Sequence, residues 1–74
     1  MDSFNYRIVR TNDPIRFAIH EAYYDKQGNL EAVTEEPVFP EGETKDKLFI
    51  DVDHMLSAMT KPVINYDDVG GRDG

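Results

Sequence analysis

The segment Asp25-Lys26-Gln27-Gly28-Asn29 is the feature that most constrains the fold of this chain. It separates two stretches rich in strand-forming residues, and it places a glycine where a three-residue hairpin loop needs a left-handed backbone. A type I turn at Lys26-Gln27 followed by Gly28 therefore predicts an antiparallel β-hairpin with a G1 bulge.

Strand-forming residues fall into three segments, each ending at turn residues or prolines. The predicted strands are residues 4–10, 16–24 and 30 to about 38. A short fourth strand over Val63–Asn65 stays open as an alternative.

One helix is predicted after the hairpin. Thr44 is suited to cap its N-terminus, and Lys61-Pro62 ends it, because proline disfavours helical geometry in the preceding residue. Asp51, Asp53 and Ser57 are expected on the polar side. The apolar residues recur at helical spacing and are expected to pack as core. They are Leu48, Val52, Met55, Leu56 and Met59.

The predicted fold is a single α+β domain over residues 1–66, in which a three-stranded antiparallel sheet is covered on one face by the amphipathic helix. A chain of 74 residues supports one small core, since such domains bury only about 60% of their unfolded surface. Residues 67–74 are acidic and rich in glycine, which predicts a disordered tail.

The turn also sets the register of the hairpin. With Asp25 opposite Asn29, the predicted pairs are Tyr24 with Leu30, Ala22 with Ala32 and His20 with Thr34. One face of the sheet then carries Ala18, His20, Ala22, Tyr24, Leu30, Ala32 and Thr34, and the other carries Phe17, Ile19, Glu21, Tyr23, Glu31, Val33 and Glu35. One helix covers one face only, so an apolar face remains open, and this favours a homodimer.

Charge is distributed unevenly along the chain, whose net charge is −7. Residues 1–30 carry four acids and four bases, whereas residues 31–74 carry eleven acids and four bases. Such a surface repels phosphates and disfavours direct nucleic-acid binding. It is typical of a merely soluble protein or of one that binds a partner with a basic face. The candidate acidic contacts are Glu31, Glu35, Glu36, Glu41 and Glu43.

Composition argues against several other classes. The chain has no cysteine, which excludes disulfides and thiolate metal sites. His20 and His54 are too far apart in sequence for a local two-histidine metal motif, and no cofactor is expected. No apolar run approaches the roughly 20 residues of a membrane span, and the N-terminus lacks the order of a signal peptide. We therefore expect a cytoplasmic protein that binds no membrane.

A set of short segments carries a family resemblance: Ile19-His20-Glu21-Ala22-Tyr23-Tyr24-Asp25, Gly28-Asn29, Glu35-Glu36-Pro37-Val38, Gly42-Glu43-Thr44, Met55-Leu56 and Lys61-Pro62-Val63-Ile64. With these segments, the chain from about residue 6 to residue 66 resembles a small family of uncharacterised bacterial proteins. The lead into the helix, Gly42-Glu43-Thr44, after a β-hairpin is also similar to the N-terminal domain of HicB-type antitoxins.

The HicB resemblance implies a partial RNase H-like or double-stranded-RNA-binding-like sheet with a helix packed on it. It also implies a domain that covers a small RNA-cleaving toxin. HicB proteins usually carry a second, DNA-binding domain, which is not expected within these residues. The Pro-Asp-x-x-Gly-Cys pattern common in HicB strands is absent, and no toxin-binding residue is carried over by a motif match.

His20, Glu21, Tyr23 and Tyr24 form the most reactive cluster in the sequence. Neighbouring strand residues point to opposite faces, so His20 and Glu21 are not expected to serve one site. We interpret His20 as a packed, hydrogen-bonded sheet residue. The alternative is a small enzyme or ligand-binding domain formed at a homodimer interface lined by His20, Tyr23 and Tyr24.

The sequence as a whole predicts a small non-enzymatic protein-interaction module, of which a HicB-like inhibitor of a basic partner is one kind. Two other classes stay open. One is the dimer-interface enzyme, and the other is a phage-type acidic inhibitor whose carboxylates mimic the phosphates of a nucleic acid.

Overall fold

The computed structural model describes residues 3–69. The strands are β1, Ser3–Thr11; β2, Arg16–Tyr24; β3, Leu30–Val33; and β4, Ile64–Asn65. The helix α1 spans Lys45–Leu56, and short 3-10 helices span Ser57–Thr60 and Tyr66–Asp68. The strands form one mixed sheet in the order β3-β2-β1-β4, with β4 parallel to β1. The α+β class is confirmed, and the short fourth strand that the sequence left open at Val63–Asn65 is present as β4, which makes the sheet mixed instead of purely antiparallel.

The predicted turn is present at the β2–β3 connection. The backbone N–H of Asp25 donates to the carbonyl of Asn29 at 2.9 Å, and Gly28 has a φ of +84°. The Asp25 carboxylate accepts from the backbone N–H groups of Gln27 and Asn29, each at 2.9 Å. Backbone donation, chiefly from Asn29, lowers the pKa of the Asp25 carboxyl below its ordinary value. The loop is therefore held both by its backbone and by one side chain.

The register departs from the prediction one residue beyond the turn. Tyr24 pairs with Leu30 as expected, but a bulge follows, so that Ala22 pairs with Val33 rather than with Ala32. Glu31 is the inserted residue. The shift moves Val33 onto the face of Ala22, where only 5% of its surface is exposed. Burying the larger valine in place of an alanine removes more apolar surface from water, which explains why the bulge is favoured.

Strand β3 ends at Val33 rather than near Val38. The chain nevertheless stays beside β2, because the backbone N–H groups of Thr34 and Val38 donate to the carbonyls of Glu21 and Ile19 at 2.9 and 2.8 Å. Pro37 has no N–H to continue a ladder between them. The connection to α1 therefore begins earlier than the sequence indicated.

The core lies on the sheet face that carries Ala22, and the C-terminal segment covers it. Val69 is 3% exposed and follows the 3-10 helix Tyr66–Asp68. The tail predicted to be disordered from residue 67 is thus ordered through Val69, and residues 70–74 lie outside the described range. The buried cluster consists of Val9, Ala22, Val33, Ile64 and Val69, with Tyr24 and Tyr66 packed against it.

Helix α1 begins where the sequence predicts. The Thr44 hydroxyl accepts from the backbone N–H of Lys47 at 3.1 Å, as an N-cap does. Gly42 lies so close to the first turn that a Cβ there would collide with the backbone nitrogen of Leu48. Only glycine fits this approach of the connection to the helix.

The helix is rotated away from the orientation that its apolar stripe predicts. Met55 is 4% exposed, whereas Asp51, expected on the polar side, is half-buried. The Asp51 carboxylate accepts from the Tyr6 hydroxyl at 3.4 Å and from the backbone N–H of Glu41 at 2.9 Å. The expectation that the whole stripe is core is wrong, because four of its members remain exposed. They are Leu48, Val52, Leu56 and Met59.

Replacing Gly28 by alanine tests the left-handed turn. A Cβ at Gly28 would meet no atom within 4 Å, so the cost comes from the positive φ alone. We expect Gly28→Ala to lower the free energy of unfolding by about 1 kcal/mol, as measured by urea denaturation. Gln27→Ala in the same loop is the control and should change it little. Equal effects of the two variants would contradict a left-handed requirement at Gly28.

Removing the Asp51 carboxylate tests what sets the rotation of α1. Asp51→Ala loses both hydrogen bonds, and we expect a loss of about 1 kcal/mol in the free energy of unfolding. Asp53→Ala is the matched control, since Asp53 lies on the same helix and is exposed. Unfolding of the two variants at the same urea concentration would contradict a role for the Asp51 carboxylate in holding α1 in its rotation.

Candidate functional site

The structure divides the predicted reactive cluster between the two faces of the sheet. His20 and Tyr24 share the face of the buried core, while Tyr23 and Glu21 lie on the opposite face that α1 covers. His20 is 1% exposed, and its Nδ1 lies 2.8 Å from the carbonyl oxygen of Thr34. Since a carbonyl only accepts, Nδ1 carries the hydrogen. His20 and Thr34 are in contact, but the predicted register pair between them is wrong, because the bulge places Thr34 beside Glu21. The three residues of the alternative enzyme site do not meet in this chain.

Tyr24 belongs to a polar network on the core face. Its hydroxyl donates to the Asn5 side-chain oxygen at 2.8 Å and accepts from Nη1 of Arg7 at 2.9 Å. Nη2 of Arg7 donates to the carbonyl of Pro62 at 2.7 Å. The network ties β1 and β2 to the segment that leads into β4. The network acts as a structural clamp, because each of the polar atoms named above makes a hydrogen bond within the chain.

A cluster of tyrosines and carboxylates lies between the sheet and α1. Tyr23 donates its hydroxyl hydrogen to Glu21, and Tyr6 donates to Asp51. The bond to Glu21 raises the pKa of Tyr23 to about 12. Burial, followed by the nearby charge of Asp51, raises the pKa of Tyr6. Both phenols are therefore held neutral at ordinary pH, which makes them poor acids or bases.

A small pocket of about 200 Å³ opens beside this cluster. Its lining comes from β1, β2, α1 and the chain between β3 and α1. The lining includes Tyr6, Glu21, Phe39, Glu41, Asp51 and Met55. The pocket combines carboxylates with aromatic and apolar walls, but the carboxylates of Glu21 and Asp51 already accept hydrogen bonds from the chain.

The connection between β3 and α1 carries most of the predicted acidic contacts. Glu35, Glu36, Glu41 and Glu43 are all exposed there, whereas Glu31 sits in the bulge of β3 and is half-buried. Phe39 lies in the middle of the connection and is 70% exposed. We call residues 35–43 the acidic connection. It presents one large aromatic ring surrounded by carboxylates, on a segment stiffened by Pro37 and Pro40.

Neutralisation of the acidic connection by its own chain is weak. Nζ of Lys47 lies 4.0 Å from a Glu43 carboxylate oxygen, and both side chains are well exposed. Exposed pairs of this kind contribute little. The negative potential of the connection is therefore available to a partner.

Other kinds of site find no support in the described part of the chain. Within residues 3–69, no three His, Asp or Glu side chains are grouped as a metal ion requires. None of the helices in that range is long and apolar enough to cross a bilayer.

The sequence does not predict the roles of two residues at these sites, Phe39 and Asp51. Phe39 falls in what reads as the fraying end of a strand, although an aromatic residue between two prolines in an acidic run is a recognisable signal. Asp51 falls on the polar side of the helical stripe, and nothing in the sequence shows that Tyr6 and Glu41 donate to it. Only the packing of the helix reveals that role.

Comparison of the chain with protein-family models, curated proteins and solved structures finds no match. The function of the chain is therefore inferred from its residues and their geometry.

The raised pKa of Tyr23 has a measurable consequence for stability. The native state keeps this phenol protonated up to about pH 12, whereas an unfolded tyrosine ionises near pH 10. Its contribution is thus fully present below about pH 10 and is lost as the pH rises towards 12. Titration by ultraviolet absorbance should show a late-ionising phenol that Tyr23→Phe removes and that Glu21→Gln shifts to lower pH. Simultaneous ionisation of all four tyrosines would contradict the assignment.

Proposed function

We propose that this chain is a non-enzymatic protein-interaction module that binds a partner with a basic face through its acidic connection. The observation that carries the proposal is the exposure of Phe39 among four exposed glutamates. Charges of one sign steer an oppositely charged partner and set its orientation. An exposed aromatic ring then supplies the apolar anchor that binding energy usually depends on.

The proposal includes a HicB-like architecture and an occlusion mechanism. Support comes from the order of three antiparallel strands followed by a helix, and from Gly42, whose close approach to α1 gives the Gly-Glu-Thr lead a structural role. In this mechanism the acidic connection covers a basic surface on the partner, as a HicB-type inhibitor covers an RNA-cleaving toxin. The compartment we propose is the cytoplasm, which suits a chain without cysteine.

The contacts of His20, Tyr23 and Tyr24 within the chain favour binding over catalysis. His20 is buried and hydrogen-bonded to the backbone. Tyr23 keeps its proton to about pH 12, far from the neutral range in which a general acid or base works best. Tyr24 is engaged with Arg7 and Asn5. Each of these side chains therefore makes a structural contact within the chain.

A charge-reversal experiment tests the acidic connection. The probe is a lysine-rich peptide with a central leucine, which offers cations to the glutamates and an apolar contact to Phe39. We expect Glu35→Lys/Glu36→Lys to weaken binding about tenfold, equivalent to about 1.4 kcal/mol, in fluorescence anisotropy. Phe39→Ala should weaken it without changing the charge, and added salt should weaken wild-type binding.

The matched control is Asp53→Lys/Asp68→Lys, which makes the same change in net charge at exposed positions outside the acidic connection. The proposal predicts a smaller loss for this control. Equal losses for the two double variants, together with no effect of Phe39→Ala, would show that the peptide responds only to net charge and would overturn the proposed site.

A further inference from the structure

A row of apolar side chains runs along α1 and into the 3-10 helix after it, and each of them keeps more than a third of its surface exposed. Leu48, Val52 and Leu56 recur at every fourth residue, and their exposed fractions are 39%, 44% and 62%. Phe49 extends the surface on one side and is 71% exposed, and Met59, in the 3-10 helix that follows α1, extends it on the side of the sheet and is 64% exposed. We call these five residues the apolar row. It lies beside Met55, whose side chain is buried against the sheet.

The apolar row is large for a chain of this size. Exposed fractions of this magnitude leave roughly 500 Å² of apolar surface in one place, which is near the upper end for the largest patch on a typical monomer. A standard interface buries about 800 Å² on each partner. The row therefore supplies more than half of such an interface, and polar residues around it can supply the rest.

The composition of the row indicates what it binds. Val52 stands at its centre with a leucine four residues away on each side, so the ridge reads the same in both directions. An interface about a two-fold axis requires a patch that is complementary to itself. Packing one i±4 ridge against another is also the commonest geometry for two helices. These features fit a second copy of α1.

We propose that two copies of this chain associate through the apolar row, with a two-fold axis near Val52. Leu48 of one copy then packs beside Leu56 of the other. No charged residue stands in the row, so the symmetric contact brings no like charges together at its centre. A basic partner would bury its cations against apolar carbon on this surface, which is costly. The dimer surface is therefore distinct from the acidic connection and does not depend on its function.

The net charge of −7 on each copy gives this dimer a characteristic salt dependence. Two acidic chains repel each other, and salt screens that repulsion over about 8 Å at physiological ionic strength. Added salt should therefore strengthen self-association, whereas it should weaken the binding of a basic partner to the acidic connection. Because salt affects the two interactions in opposite directions, the dimer and the binding of a basic partner can be contradicted independently of each other.

Sedimentation velocity over a concentration series tests the dimer. We expect the wild-type chain to shift from one to two copies as concentration rises, and Val52→Glu to remain a monomer because it places two carboxylates at the axis. Ile50→Glu is the matched control. Ile50 is 53% exposed on the same helix, about 160° around its axis from Val52, so this variant adds the same charge and should still dimerise. Far-ultraviolet circular dichroism confirms that both variants are folded.

A cysteine scan gives an independent readout, because the natural chain has no cysteine. Val52→Cys should form an intermolecular disulfide rapidly under mild oxidation, and Ile50→Cys should not. Monomeric wild-type protein at every concentration would overturn the proposal. A dimer that survives Val52→Glu, or equal cross-linking at both positions, would overturn it as well, since association would then use another surface.

Discussion

The rotation of α1 about its own axis decides what this chain buries, and Asp51 is the polar residue of the helix that this rotation turns toward the sheet. Its carboxylate accepts from the Tyr6 hydroxyl on β1 and from the backbone N–H of Glu41 in the acidic connection. A carboxylate that leaves water needs donors, and these two are on the sheet side of the helix. Because Val52 points about 100° away from Asp51, turning Asp51 inward turns the apolar row outward.

The sheet face that carries the buried cluster is covered by residues 64–69 and not by the helix. One helix covers one face, and the other face is closed by residues 64–69. Ile64 pairs beside Val9 in a parallel strand, and Val69 is buried in the same cluster. The clamp from Arg7 to Tyr24 and to the Pro62 carbonyl holds this segment against the sheet. Apolar surface stays exposed both on the helix and on the helix-side face of the sheet, where Phe4 and Phe17 are 55% and 61% exposed.

Two outward surfaces result, and their chemistry differs. The acidic connection offers carboxylates around Phe39, which suits a basic partner approached through long-range attraction. The apolar row offers carbon without charge, which suits a copy of itself approached at short range. Since the surfaces use different residues, a dimer would carry two acidic connections. Linking two such surfaces raises the effective affinity for a partner that is itself repeated.

Local signals determined a good part of this protein. The sequence by itself determined the turn at Asp25–Asn29, the pair of Tyr24 with Leu30, the Thr44 cap and the end of the helical segment before Pro62. Each depends on a few adjacent residues whose backbone preferences or hydrogen bonds act locally. Only the tertiary structure decided that Val33 replaces Ala32 in the core, that Val69 closes it, and that Asp51 rather than the centre of the apolar stripe faces the sheet. Those outcomes depend on competition between distant groups for a small buried volume and for the available hydrogen-bond donors, and no local pattern records which group wins.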